Sequence, residues 1–573
     1  MKKPFRRAKI FVLLAAALLV LFGFLFFRLN RPDSLAKGDR YYGGVFSYSL
    51  PEKTNSLFPQ ETNALSDLRI ISQLFDPLTK QSDSKGRIEN YLAKSIEIKN
   101  NGKLVYIKLR RGVLFNDDDC FSNESRELTA EDVAFTFSLA CSNQALNQSG
   151  SLLMGKILGS EPYFKKGLKP EKSIVSGIRI INPFELEICL TRPYNNFKQL
   201  LAHPSLGILS KVSWVYYGEK LRLHPVGSGP FYIKSISDTV LKLARNERYW
   251  RHDQFGNKLP YLDEVHVLTN TKLTQEYPLF SKEKVDLLFD LPVNDLEKAF
   301  GTLTDAKKGK NLLHRVHIQK ASKIHYLAWN LNSEPFKNPL VRKAFQLAID
   351  RNFICSEILR GDGQALNCGF IPSCTYYSNP NLEVIHPDLI RARNYLKEAG
   401  YNEKNPFPTI SFLVNNQKGS NADLWCKEVC KQLNTGLGIN IHIEYIGTKE
   451  RDKRIKTGKA QMWKTGWVGD YPDAESYLRL FFQENEGATN SSEKYFYNAR
   501  YNRLYLHSIL TTNKKEKLFY QRSCEEIIAN ENAILPIYSE DFFMLINLRV
   551  RGFEMNPSGI IDFSQIYLKN IEN

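Results

Sequence analysis

The sequence predicts an α/β fold with mixed sheets, divided into two or three lobes and preceded by one membrane helix. Three observations predict it: the length of 573 residues, the succession of strand and helix patterns, and an apolar run near the N-terminus. Single hydrophobic cores stop growing near about 250 to 300 residues, so a longer chain is expected to divide. Hydrophobic residues make up 43% and charged residues 24% of the chain, values near the globular average that exclude a disordered or polytopic membrane protein.

The apolar run at residues 10–27, IFVLLAAALLVLFGFLFF, is predicted to be a transmembrane signal anchor. At about 1.5 Å per residue it nearly matches the ~30 Å hydrocarbon core of a bilayer. Basic residues before it predict a cytoplasmic tail over 1–9 and an exported remainder. Bulky and charged residues follow where cleavage needs small ones, so we expect the anchor to be retained; a cleaved signal is the alternative. The charged stretch 28–43 is predicted to be a linker.

The folded part is predicted to start near Gly44 and to mix strands with capped helices. Residues 104–110, LVYIKLR, alternate between two faces and predict a strand with Val105, Ile107 and Leu109 inward. Thr129, with an acid three residues later, predicts the start of a helix.

Two further helices are predicted after Asn338-Pro339 and from Pro387. The first has an N-cap followed by Pro at its first position, and Gly400 is placed to end the second in a left-handed cap. Their predicted buried faces are Leu340, Ala344, Leu347 and Ala348, and Leu389, Ala392, Leu396 and Ala399.

The net charge of +17 is interpreted as a mildly basic, solvated surface. Lys and Arg total 78 against 61 Asp and Glu, but part of the excess precedes residue 10 and the rest is scattered among acids. Neither a basic block nor a nucleic-acid module is recognisable, so nucleic acid is not an expected partner.

The nine cysteines are an odd number, so at least one thiol is unpaired. Cys368 and Cys374 are spaced to close a small loop by a disulfide. Cys426 and Cys430 share one face of a predicted helix, without a second pair at metal-ligand spacing. We expect most of the nine to be buried free thiols, which pack as small hydrophobic groups.

Catalytic and cofactor motifs are not recognisable in the sequence. The turn at 227–230, GSGP, has neither phosphate-loop nor nucleophile-elbow spacing. His314 and His317 have no further ligand arranged with them. We therefore predict a protein that is not an enzyme and has no cofactor or metal.

Several segments, in this order, resemble the extracellular solute-binding proteins of oligopeptide and dipeptide ABC importers, the family 5 type. The resemblance runs from about residue 44 to the C-terminus. An insertion at 120–127, CFSNESRE, departs from the family pattern. The segments are 92–117, 128–137, 226–233 (VGSGPFYI), 245–250 (RNERYW), 259–265 (LPYLDEV), 340–351 (LVRKAFQLAIDR), 389–401 (LIRARNYLKEAGY) and 466–478 (GWVGDYPDAESYL).

The resemblance implies a two-lobed periplasmic-binding-protein fold with an extra subdomain. It places lobe I at 44–78, 200–315 and 535–573, the extra subdomain at 79–199, and lobe II at 316–534. It implies a monomer that captures short peptides in the periplasm and delivers them to an inner-membrane ABC permease. The alternatives are a nickel chelate, haem or sugar as cargo, or a sensor or folding helper without a transporter.

The resemblance also implies four ligand-binding residues. Asp470, in the GWVGDYPD segment, corresponds to the carboxylate that pairs with the ligand ammonium, although it is also placed to cap a helix starting at Pro472. Trp467 is expected to line the same pocket with apolar area and a donor, unless it is a core residue. Lys464 corresponds to a contact for the ligand carboxylate, against an ordinary solvated lysine, and Asn63 to a polar contact.

Overall fold

The computed structural model describes residues 34–569 except 51–53, 55, 63, 123–124, 145–146, 148–149, 195, 270, 290–314, 376, 470, 484–494 and 512. The predicted anchor at 10–27 lies outside these residues. Within the described part, no helix combines the length and apolar character needed to cross a membrane.

The strands form one large mixed sheet and several small ones. Their order in the large sheet is β10-β11-β12-β3-β13-β19-β14-β18-β16-β17, with β15 paired to β19. The strands are β1 Ser34–Ala36, β2 Arg40–Tyr42, β3 Val45–Ser49, β4 Thr79–Gln81, β5 Ile88–Asn90, β6 Ala93–Lys99, β7 Leu104–Leu109, β8 Ile178–Asn182, β9 Glu185–Cys189, β10 Phe231–Ile236, β11 Val240–Arg245, β12 Glu264–Leu268, β13 Leu287–Phe289, β14 Arg315–Trp329, β15 Gln364–Ala365, β16 Ile410–Val414, β17 Ile441–Tyr445, β18 Met462–Val468, β19 Ile534–Ile546, β20 Val550–Arg551 and β21 Tyr567–Leu568.

The helices are interspersed among these strands, which gives the mixed α/β class predicted from the sequence. They are α1 Leu65–Leu74, α2 Ala130–Ala140, α3 Ser160–Lys165, α4 Phe197–Leu200, α5 Lys211–Tyr217, α6 Leu273–Ser281, α7 Pro339–Ala348, α8 Arg351–Phe353, α9 Leu389–Glu398, α10 Asn421–Leu437, α11 Thr448–Lys456, α12 Glu475–Leu478, α13 Ala499–Leu510 and α14 Lys514–Asn530.

Two long antiparallel strands, β14 and β19, run through both halves of the large sheet. Their first part, 315–319 with 542–546, lies beside β13, and their second part, 323–329 with 534–540, lies beside β18. Between these parts the register shifts, with two extra residues on β14, so a bulge separates the two halves. We call the half with β3 and β10 to β13 the first lobe, and the half with β15 to β18 the second lobe. The exact lobe and subdomain boundaries given above stay a prediction.

The strand and the helix predicted within residues 104–140 are both present. The strand is β7, in a separate antiparallel sheet with the order β6-β7-β9-β8, and the helix is α2. Val105, Ile107 and Leu109 are buried and their neighbours along the strand are less so, as the alternation predicts. The Thr129 and Asp132 side chains form the predicted capping box at the start of α2. The end of the inserted segment at 120–127 pairs with the chain that follows β7, because the Phe115 N–H donates to the carbonyl of Arg126 at 2.9 Å.

The second lobe has its own hydrophobic core, and both helices predicted there are present. They differ from the prediction in their first residue or in the residues that they bury. Asn338 caps α7, but the helix buries Val341 and Phe345 in place of the predicted Leu340 and Leu347. The second helix begins at Leu389 and not at Pro387, because Asp388 is its cap and accepts from the Arg391 N–H at 2.9 Å. Of its predicted face, Ala392 and Leu396 are buried, Ala399 is partly buried, and Leu389 is 39% exposed. Gly400 has the predicted left-handed backbone, with φ of 95°.

The linker prediction is wrong for residues 34–42, which form the β1–β2 hairpin. This hairpin packs on the first lobe: the Arg40 guanidinium donates to the Tyr567 hydroxyl at 2.7 Å, and the Lys37 N–H donates to the Asn257 side chain at 3.0 Å. The folded part therefore includes residues before Gly44.

The cysteines whose side chains the structure describes are free thiols, most of them buried, as expected. Cys368 is exposed and its thiol lies 3.4 Å from the carbonyl of Leu382, so it is not in the disulfide considered for it. The turn at 227–230 is structural, because a Cβ on Gly227 would lie 1.9 Å from the carbonyl oxygen of Leu74.

Candidate functional site

The candidate site is a cavity of about 2260 Å³ between the two lobes. On the second-lobe side, β16, β17 and β18 run parallel, so their carboxyl ends meet at one edge of the sheet. The segments that leave these ends are Asn415-Asn416, the start of α11 and residues 466–469. Ligands of open α/β sheets bind at such an edge, and α11 and residues 464–469 line the cavity.

Lys464 lies on β18 and lines the cavity, but it is not the solvated lysine that was the alternative. Its side chain is buried, and its ammonium donates to the Asn416 side-chain oxygen at 2.8 Å. Burial is the main cause that lowers the pKa of Lys464 to about 8, and the nearby positive charges of Lys323 and Arg451 act in the same direction.

Trp467 also lines the cavity, and its ring is partly buried against the main hydrophobic core. Its indole N–H donates to the carbonyl of Ser476 at 2.9 Å, and the Arg479 guanidinium lies 5.3 Å from the ring centre. The ring therefore offers a ligand its apolar face, whereas the predicted donor is already bound within the protein.

Asp470 and Asn63 lie outside the described residues, but their neighbours lie at the cavity. Gly469 lines it, as do Thr62 and Ala64. The helix that Asp470 was predicted to cap does not begin at Pro472: the next helix, α12, begins at Glu475, and the Asp473 carboxylate accepts from the Glu475 N–H at 2.9 Å.

A buried ionic cluster at the bulge between the lobes was not found in the sequence. Glu540 on β19 accepts from the Lys323 ammonium at 2.7 Å and from the His325 ring, and both basic residues line the cavity. Burial alone would raise the pKa of Glu540, but Lys323 and His325 hold it well below its usual range. Burial lowers the pKa of His325, and the neighbouring Glu540 carboxylate opposes this shift. The spacing Lys323-x-His325 on a strand could have indicated that both face one side.

The first-lobe side of the cavity carries a second ionic cluster, which is partly buried and which the sequence also did not indicate. Asp562 pairs with the Lys80 ammonium at 2.8 Å and the Arg251 guanidinium at 3.0 Å. Asp76 is buried beside them and accepts from the Trp250 indole at 2.8 Å. Burial raises the pKa of Asp76 to about 7. These residues come from three segments that are far apart in the sequence, 76–80, 250–251 and 562, and only the fold brings them together.

The described residues contain no group of three or more His, Cys, Asp or Glu side chains placed to hold a metal ion. His317, one of the two histidines considered as ligands, packs edge-on against Phe553 with ring centres 5.3 Å apart, and His314 lies outside the described residues. The cavity is therefore lined by polar, charged and apolar groups suited to binding an organic ligand.

Known proteins similar to this chain are binding proteins of the same size. The chain is 27% identical over 500 residues to the heme-binding protein A of Haemophilus influenzae, covering 85% of each chain. It is 23% identical over 495 residues to the glutathione-binding protein GsiB of Shigella flexneri, covering 85% of this chain and 87% of that protein. The structure of the Helicobacter pylori periplasmic binding protein DppA with peptide STSA matches with a TM-score of 0.78 and 22% identity, over 93% and 99% of the two chains.

The match to a defined protein family covers most of the chain. Residues 87–489 match the family described as bacterial extracellular solute-binding proteins, family 5 Middle. This range contains β14, β18 and the segments that line the second-lobe side of the cavity. The chain therefore belongs to the bacterial extracellular solute-binding proteins of family 5.

Proposed function

We propose that the protein captures short peptides between its lobes and delivers them to an ABC permease of the inner membrane. The observation that carries the proposal is the cavity of about 2260 Å³ at the carboxyl edge of the second-lobe sheet. Membership of the solute-binding family and the fold shared with a protein solved with the peptide STSA support it. The lobes close on the ligand by bending at the bulge in β14. The protein acts as a monomer and carries out no chemical reaction on its ligand.

The proposal assigns a separate role to each of four residues. Asp470 pairs with the ligand ammonium, and its place directly after the cavity-lining Gly469 supports this. The Trp467 ring packs on a ligand side chain. Lys464 binds a ligand carboxylate. Its buried ammonium is suited to this role because its partner among the described residues, the Asn416 side chain, is a neutral amide. Asn63, beside the cavity-lining Thr62, contributes a polar contact.

The proposed location is the periplasmic side of the inner membrane, with residues 10–27 as a retained anchor. The apolar run and its basic flank support this, and a soluble periplasmic protein is the alternative. An anchored receptor has a high effective concentration near its permease, which would speed delivery.

The proposal is tested by calorimetry of the full chain with unblocked and N-acetylated tripeptides, for the parent and for Asp470→Asn. Removing one member of a buried charge pair costs about 2 to 5 kcal/mol, so we expect roughly 30-fold to several thousand-fold weaker binding of the unblocked peptide. N-acetylation removes the same contact from the other side, so the two losses should not add. Equal binding by Asp470→Asn and parent, with unchanged circular dichroism, would refute the role of Asp470. Absence of binding by any peptide would refute peptide capture.

Haem is the second candidate ligand, because one relative that covers 85% of this chain is a heme-binding protein. Adding haemin to the same protein in place of peptide tests this candidate. Saturable binding of haemin that peptide does not displace would favour haem transport.

A further inference from the structure

The two sides of the cavity differ in charge. We define the basic wall as the cavity-lining residues within 323–325, 448–457 and 464–469. It contains six cationic side chains, and Asp452 is its one carboxylate among the described residues. The cations are Lys323, Lys449, Arg451, Lys453, Lys456 and Lys464.

Six cations against one lining carboxylate give the described part of the basic wall a net positive charge. Asp452 lies against the Arg451 guanidinium at 2.8 Å, and Glu540 lies behind the wall, where it binds Lys323. The first-lobe side is different, because its acidic lining residues outnumber its basic ones and form close pairs with them. Glu61, for example, accepts from the Arg222 guanidinium at 2.7 Å.

The position of Lys464 makes the excess charge energetically significant. Its ammonium is buried and the partner given by the described residues is the neutral Asn416 side chain. A buried ammonium is costly unless an opposite charge accompanies it, and lobe closure would remove more water from it. An anion between the lobes would offset this cost and the repulsion from Lys323 and Arg451.

We propose that the basic wall selects acidic peptides, whose negative charges outnumber their positive ones. Carboxylates of the ligand other than the one bound by Lys464 face the cations of α11. This inference deepens the proposed peptide capture and rests on it.

The test compares three tripeptides of equal length by calorimetry with the full chain. Ala-Glu-Glu, Ala-Gln-Gln and Ala-Lys-Lys share one backbone, and Gln matches Glu in shape without its charge. We expect Ala-Glu-Glu to bind about tenfold or more tightly than Ala-Gln-Gln, and Ala-Lys-Lys to bind most weakly. Raising the salt concentration should narrow the difference.

Matched pairs of substitutions separate the effect of the basic wall on peptide preference from the effect of the protein's net charge. The variant Lys449→Gln with Lys453→Gln removes two charges from exposed wall positions, and Lys397→Gln with Lys404→Gln removes two exposed charges that do not line the cavity. The first pair should reduce the preference for Ala-Glu-Glu over Ala-Gln-Gln several-fold, because the affinity for Ala-Glu-Glu falls more than the affinity for Ala-Gln-Gln. The second pair should leave the preference intact.

Three results would overturn the inference. Equal affinity of the parent for Ala-Glu-Glu and Ala-Gln-Gln would remove the selection for acidic peptides and leave peptide capture standing. An equal loss of preference in both pairs of substitutions would show that the preference for Ala-Glu-Glu comes from the net charge of the protein and not from the basic wall. If none of the three peptides binds, the proposed function fails together with the inference.

Discussion

At the scale of single residues, Asp76 is a group whose pKa the fold shifts into a testable range of pH. The carboxyl group is buried, accepts from Trp250, and has its pKa raised from 3.8 to about 7. The folded state therefore binds a proton that the unfolded state has lost between about pH 4 and 7. Its stabilising contribution is present below pH 4 and is lost as the pH rises through 7.

We predict that Asp76→Asn gains stability relative to the parent as the pH rises. An amide keeps the acceptor for Trp250 and carries no charge at any of these pH values. One unit of pKa shift corresponds to 1.36 kcal/mol, so the difference in unfolding free energy should grow by about 2 to 4 kcal/mol between pH 4.5 and 7.5. Urea unfolding of both proteins at several pH values measures it. Parallel pH profiles would contradict the prediction.

Gly227 is a residue whose size is restricted by its neighbours. A Cβ there would meet the carbonyl oxygen of Leu74 at 1.9 Å, and backbone cannot move aside as a flexible side chain does. We predict that Gly227→Ala lowers the unfolding free energy by about 1 to 3 kcal/mol, measured by urea unfolding. Gly447→Ala is the control, because nothing lies within 4 Å of its Cβ and its φ is −71°. Equal stability of the two variants would refute the steric argument.

The residues that could be predicted were those whose role depends on close neighbours in the sequence. Thr129 caps a helix through groups two and three residues away, and Gly400 ends a helix through its own backbone. Lys323 and Glu540 are far apart in the chain and meet because β14 and β19 pair, which the sequence pattern does not specify. Burial of Lys464 was missed for the same reason, since its surroundings come from several elements.

At the scale of elements, the capping box at the start of α2 is a local feature whose contribution to the unfolding free energy can be measured. The Thr129 hydroxyl accepts from the Glu131 N–H at 3.3 Å, and Asp132 accepts from the Thr129 N–H at 2.9 Å. We predict that Thr129→Ala lowers the unfolding free energy by about 1 kcal/mol, whereas Thr129→Ser, which keeps the hydroxyl, has a smaller effect. Urea unfolding compares the two, and an equal loss would show that the methyl group and not the cap is responsible.

Elements were predicted where periodicity and capping agreed and were misplaced where composition was the sole indication. The strand at 104–109 alternates clearly and was found. The stretch 34–42 has few aliphatic residues, yet it is held by aromatic and polar contacts, such as Arg40 to the Tyr567 hydroxyl. The buried face of α7 includes the predicted Ala344 and Ala348, and it also includes Val341 and Phe345, which the prediction left out.

At the scale of the whole molecule, the large sheet extends through both lobes, and its regular strand pairing is interrupted by one bulge between them. β14 and β19 extend through both lobes, and the bulge between their two parts places Lys323, His325 and Glu540 on the second-lobe side. The hydrogen bonds of these three residues keep that side of the bulge rigid. Bending is therefore expected at residues 320–322, where the regular pairing is interrupted.

The last prediction concerns closure of the lobes on the ligand. If a peptide bridges the basic wall and the first lobe, it binds the closed state better and shifts the population toward it. We expect small-angle X-ray scattering to show a smaller radius of gyration with saturating unblocked tripeptide. The same ligand at 100 times its dissociation constant should raise the unfolding free energy by about 2.7 kcal/mol. The N-acetylated peptide at equal concentration is the control and should produce clearly smaller changes, because its binding is expected to be roughly 30-fold or more weaker. Stabilisation without compaction would show that the ligand binds one lobe alone, because closure requires contacts to both.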